Sequence, residues 1–177
     1  SAALIPVFSG VVLNPKDERE ASDFVENTTS MLLFATVVLT ILFFFGMPYI
    51  IQVLAPGFTD NKEAYELAVH FGKIIFPYII FISLAAHFAS INNVHERFAA
   101  GAFAPAILNI SFILSLFFLT PFVTTAGHAL SYGVLIGGIL QFLYLYRAVL
   151  NFYRPRIRIP VLNEKLKKFF KLFLPGV

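Results

Sequence analysis

From Phe98 to Tyr146 the chain carries no Asp, Glu, Lys or Arg, and neither does Asn27 to Thr59 or Ile74 to His95. Each stretch reaches or exceeds the roughly 18 apolar residues a helix needs to cross a bilayer. The longest is too long for a single helix, and "TPFVTTAGHALS" near its middle supplies turn chemistry through Pro121, Gly127 and small polar residues. With 58% hydrophobic and 13% charged residues, the composition lies outside the range of soluble domains. The expected fold is all-α, a polytopic membrane helix bundle with spans at about 31–54, 69–92, 103–121 and 129–150. "SAALIPVF" at the start reads as the end of an earlier span, so the bundle occupies 1–150; a basic amphipathic linker follows over 151–173, and 174–177 opens a further span.

Lys and Arg near span ends are held on the cytoplasmic side. Four spans place Lys16, Arg19, Arg97, Arg147 and the basic tail on one face, against Lys62 and Lys73 on the other. The first face is therefore expected in the cytoplasm. The basic balance reflects membrane topology, and no nucleic acid partner is expected.

Chemistry is not advertised. Cysteine is absent, and His70, His87, His95 and His128 form no helical i, i+4 pair, so neither a thiolate nor a metal site is expected. No nucleotide or dinucleotide fingerprint is present, no cofactor is implied, and no acid, base and nucleophile set points to an enzyme. No charge is expected at bilayer depth, where one would mark a substrate or ion path; the polar residues there are Gln52, His87, Ser90, Asn109, Ser111 and Gln141.

Other features suit a bundle whose helices move. Pro77 interrupts the second span and removes a backbone hydrogen bond, which forces a kink. Pro105 lies near a helix end, and Gly133 and Gly137 stand at GxxxG spacing, which lets a neighbouring backbone approach. Asn109 is expected to make a helix-to-helix hydrogen bond. In the tail, Leu162, Leu166, Phe169, Phe170 and Phe173 recur at helical spacing among lysines, a pattern for a helix lying on anionic lipid headgroups.

"NNVHERFAAGAFAPAILNIS", with "FPYIIFISLAA" before it, "QVLAPGF", "YGVLIGGILQ" and the opening "SAALIPVFS", resembles in order the MurJ/MviN family of lipid II flippases, within the multidrug/oligosaccharidyl-lipid/polysaccharide exporter superfamily. The resemblance implies an exporter-type fold of two helical lobes, of which this chain supplies part of the N-terminal one. It implies a multi-pass protein of the bacterial inner membrane that turns over a lipid-linked peptidoglycan precursor by alternating access. Arg97 would then anchor a cytoplasmic turn, and Pro105 would shape the start of the next helix. An exporter of another lipid-linked sugar or amphiphile, or a non-transporting scaffold of the same fold, are the alternatives. Glu96 stands where relatives usually carry a neutral residue.

Overall fold

The computed structural model describes residues 18–58 and 60–157, with side chains from Ala21 onward. The expected helix end at the N-terminus, most of the basic linker and the opening of a further span lie outside these residues. Among those described there is no strand. The helices are α1 (Glu18–Leu54), α2 (Lys62–Ile75), α3 (Tyr78–Val94), α4 (Phe98–Leu119) and α5 (Ala126–Val149), with short 3-10 turns at Pro56–Phe58 and Thr120–Phe122. Four segments are long and apolar enough to cross a membrane: Ala21–Leu54, Lys62–Val94 through both α2 and α3, Phe98–Phe122 and Ala126–Val149.

Local chemistry explains the boundaries. Asn61 caps α2 by accepting the Ala64 amide on Oδ1 at 3.1 Å, and Glu63 in the first turn suits the positive end of the helix dipole. At the far end of α2, the Phe76 amide still donates to Gly72 O at 2.9 Å, but Pro77 has no amide to continue the ladder. The chain restarts through i to i+3 bonds, Ile79 N to Phe76 O at 3.0 Å and Ile80 N to Pro77 O at 3.2 Å. The interruption is thus a tight turn within one membrane-length segment.

Contacts gather into two units. One comprises Ser83–Ala104 with parts of Ser1–Phe34 and Leu143–Val177; the other comprises Ala35–Ile82 and Pro105–Phe142. The first has a core of Phe24, Val25, Leu84, Phe88, Ile91, Leu145 and Val149. Buried polar groups accompany them: His87 Nε2 lies 3.2 Å from Thr29 Oγ1 and 3.4 Å from Thr28 Oγ1. The second unit is held by aromatic stacking of Phe43 on Phe76, at 4.6 Å between centroids, and by Tyr65 Oη donating to Pro48 O at 2.9 Å. Its outward faces carry large apolar side chains, with Phe45 75% and Phe117 76% exposed. Such patches are untenable in water and ordinary against lipid.

One expectation changes here. Helix α1 begins at Glu18, earlier than the span anticipated from residue 31, and Glu26, Thr28, Thr29 and Ser30 are buried along it. Glu26, 5% exposed, lies in the N-terminal turns of this helix, ahead of the span expected from residue 31.

Candidate functional site

The helix α5 presents its glycines to the elements around it. A β-carbon built on Gly133 would stand 2.8 Å from Ser115 Oγ, 2.9 Å from Ser115 Cβ and 3.4 Å from Ser111 O. At Gly137 it would meet Leu108 Cδ1 at 2.7 Å and Ser111 Cβ at 3.2 Å. Gly133 faces Ser115 and Gly137 faces Ser111, so α4 and α5 pass in opposite directions along a seam one helical turn apart. Small residues on both sides allow this approach, the usual means of helix association where lipid removes the hydrophobic drive. Ser111 satisfies its hydroxyl internally, donating to Ile107 O at 2.8 Å. Gly138 is closed in the same way by Tyr78, at the start of α3.

Asn109 is not part of this seam. It is exposed on α4 and makes no hydrogen bond to another helix among the described residues. Two residues along a helix turn the side chain by about 200°, so the face that carries Ser111 turns Asn109 away. Pro105 is also exposed, within α4 rather than at its first turn. Gln52 is exposed as well and donates from Nε2 to Tyr65 Oη at 3.3 Å. Gln141 is buried.

The turn between α3 and α4 is built by its backbone. Glu96 has φ of 60°, the left-handed conformation in which many helices end. The Arg97 amide reaches back to Asn92 O at 2.9 Å and the Glu96 amide to Asn93 O at 3.1 Å, which together make a Schellman closure. Glycine is the usual residue at that position, and glutamate there carries a steric cost. Gly101, just inside α4, meets only ordinary contact, with Ala89 Cβ 3.4 Å from the place a β-carbon would take.

Side chains then fasten this turn to the end of α5. His95 stacks on Phe152 at 3.9 Å between centroids and 7° between planes, and the Arg97 guanidinium lies 4.8 Å from the centre of the same ring. Burial, and secondarily the charge of Arg97, push the His95 imidazole below its ordinary pKa. Its Nε2 is enclosed without a hydrogen-bond partner among the described residues, so the neutral ring suits the place. Burial also raises the Tyr153 phenol. Beside this anchor an open cleft of about 520 Å³ is lined by Glu96, Arg97, Phe98, Tyr144, Arg147 and Asn151. Sequence reasoning identified Arg97 but not its meeting with Arg147, since fifty residues separate them and no local spacing joins them.

Of the features expected from sequence, Gly133 and Gly137 share a packing seam, Pro77 interrupts a membrane-length helix and Arg97 closes a turn. No group of three or more metal-ligating side chains occurs among the described residues.

Comparison with known proteins gives this architecture a family. The family model for the lipid II flippase MurJ matches residues 1–177. The chain is 32% identical over 143 residues to the lipid II flippase MurJ of Burkholderia cenocepacia, covering 81% of this chain and 28% of that protein. It is 33% identical over 181 residues to a probable lipid II flippase MurJ of Rhizobium meliloti, covering 99% of this chain and 34% of that one. A probable lipid II flippase MurJ of Buchnera aphidicola from Acyrthosiphon pisum is 36% identical over 144 residues, with 81% and 28% covered. The chain thus spans about a third of the length of the curated relatives it matches. On this evidence the chain belongs to the MurJ family of lipid II flippases.

Proposed function

We propose that this chain forms part of one lobe of a transporter that carries lipid II across the bacterial inner membrane by alternating access. The observation that carries the reading is the unbroken family match over residues 1–177, together with four membrane-length helical segments. It acts as a transporter and not as an enzyme. Its substrate path is completed by elements beyond these helices, because alternating access needs two lobes rocking around a site between them.

The orientation follows from charge. In the unit containing the α3–α4 turn, the described cations are Arg19, Arg97, Arg147, Arg154 and Arg156; those of the other unit are Lys62 and Lys73. The α3–α4 turn faces the cytoplasm on this reading, with Arg97 anchoring it. The lysines and arginines of the basic linker suit anionic headgroups. Pro77 is the flexing point of the second segment, and the Gly133–Gly137 seam fixes α5 to α4 while that point bends.

Depletion of the intact protein in cells, followed by assay of lipid II exposed on the outer leaflet, tests the proposal. Loss of exposed lipid II with normal synthesis supports it. Unchanged exposure, with a different lipid-linked sugar retained inside, would reassign the substrate.

A further inference from the structure

The cleft beside the α3–α4 turn has the chemistry of a lipid headgroup site. Arg97 and Arg147 approach it from two helix ends, the start of α4 and the end of α5, and Asn151 adds an amide whose Nδ2 also donates to Ala148 O at 2.9 Å. Glu96 is the one carboxylate on its lining, so two guanidinium groups face one negative charge and leave a net positive site. The arginine fork matches the oxygens of a phosphate. Arg97 is held in place by its stacking on Phe152, so part of the ordering cost is already met before a ligand arrives.

The cleft also continues into an apolar face. Phe103 and Tyr144 pack at 5.9 Å between centroids while remaining 52% and 38% exposed, and Leu143, one turn before Arg147 on the same helix, is 50% exposed. Tyr144 thus borders the polar cleft and the apolar strip at once, the usual position of a tyrosine at a membrane interface. A soluble anion would use only the cleft. A molecule with an anionic head and hydrocarbon chains would use both surfaces.

We propose that this cleft binds the phosphate of an anionic membrane phospholipid, with its acyl chains lying along Phe103, Leu143 and Tyr144. The site takes in the first residues of the linker, Asn151 and Phe152, and uses none of the lysines of the tail. It depends on the membrane reading of these helices but not on transport, since binding is measured without substrate movement.

The intact protein, purified in detergent, would be titrated with dioctanoyl phosphatidylglycerol and the retained lipid counted by native mass spectrometry. Phosphatidylglycerol should bind more tightly than dioctanoyl phosphatidylcholine, and Arg147→Gln should weaken it about tenfold. Ala148→Phe, which fills the cleft while keeping both arginines, should produce a similar loss. Should that variant fail to fold, Arg147→Gln decides alone, because Arg147 is exposed at a helix end. Wild-type affinity in folded Arg147→Gln would overturn the proposal. Displacement of the lipid by inorganic phosphate at equal concentration would reassign the cleft to a soluble anion, and preferential displacement by a polyprenyl diphosphate would reassign it to the transported lipid; either result would overturn the phospholipid assignment.

Discussion

Replacing Gly133 by alanine should force α4 and α5 apart. The added methyl would lie 2.8 Å from Ser115 Oγ, 2.9 Å from Ser115 Cβ and 3.4 Å from Ser111 O, whereas carbon contacts are comfortable at about 3.5–4.0 Å. The Ser115 hydroxyl can rotate away, but its β-carbon and the Ser111 carbonyl move only with the backbone. A separation of roughly 0.5–1 Å forfeits a quarter to a half of each dispersion well. Over on the order of 25 atom pairs at about 0.15 kcal/mol each, that is about 1–2 kcal/mol. Residual strain raises the cost into the range of about 1–3 kcal/mol seen for overpacked cores, and the stiffer alanine backbone returns about 0.5–1 kcal/mol. The net expectation is a destabilisation of about 1–2 kcal/mol. Gly101→Ala is the internal control: its methyl meets Ala89 Cβ at 3.4 Å, so the backbone gain dominates and stability should hold or rise. Thermal unfolding of the intact protein in detergent, followed by the loss of monodisperse protein on size exclusion after heating, compares the two. A Gly133→Ala midpoint at or above wild type would refute the close seam.

Other consequences follow from the turns and the anchor. Pro77→Ala restores the amide missing between α2 and α3; it should leave membrane insertion intact and slow lipid II movement, and unchanged movement would remove the flexing role. Glu96→Gly relieves the left-handed residue at the α3–α4 turn and should stabilise the protein by about 1 kcal/mol, read as a raised unfolding midpoint. His95 has a folded pKa held below the ordinary 6.5, so the unfolded chain binds more protons between the two values. Its contribution is therefore whole above pH 6.5 and is lost as pH falls toward the folded value. His95→Gln should flatten the decline in unfolding midpoint on acidification below 6.5, and a slope equal to wild type would contradict this. Single cysteines at Ala99 and Ala126 report orientation: in intact cells an impermeant thiol reagent should label only the second.

Much of the helical plan is legible in the uncharged stretches, because a bilayer leaves the backbone no alternative to internal hydrogen bonding. Pro77 was equally readable, since a missing amide acts wherever the residue sits. The start of α1 was not. Thr28, Thr29 and Glu26 look like a polar flank in one dimension, and only the position of His87 on α3 makes the two threonines interior. The glycine seam announced itself through Gly133 and Gly137, while its partners, Ser111 and Ser115, did not. Glycine spacing specifies that something approaches, while the identity of the approaching face is a tertiary contact. That Arg97 and Arg147 line one cleft is invisible for the same reason.

The central claim, that these helices belong to a machine moving lipid II across the membrane, is tested most directly in proteoliposomes. The intact protein would be reconstituted with labelled lipid II and the label followed between leaflets, beside vesicles holding only residues 1–177. Movement with the intact protein and none with the shorter chain is the predicted result, because the transport path needs a second lobe. An intact, correctly inserted protein that leaves lipid II in its original leaflet would contradict the account.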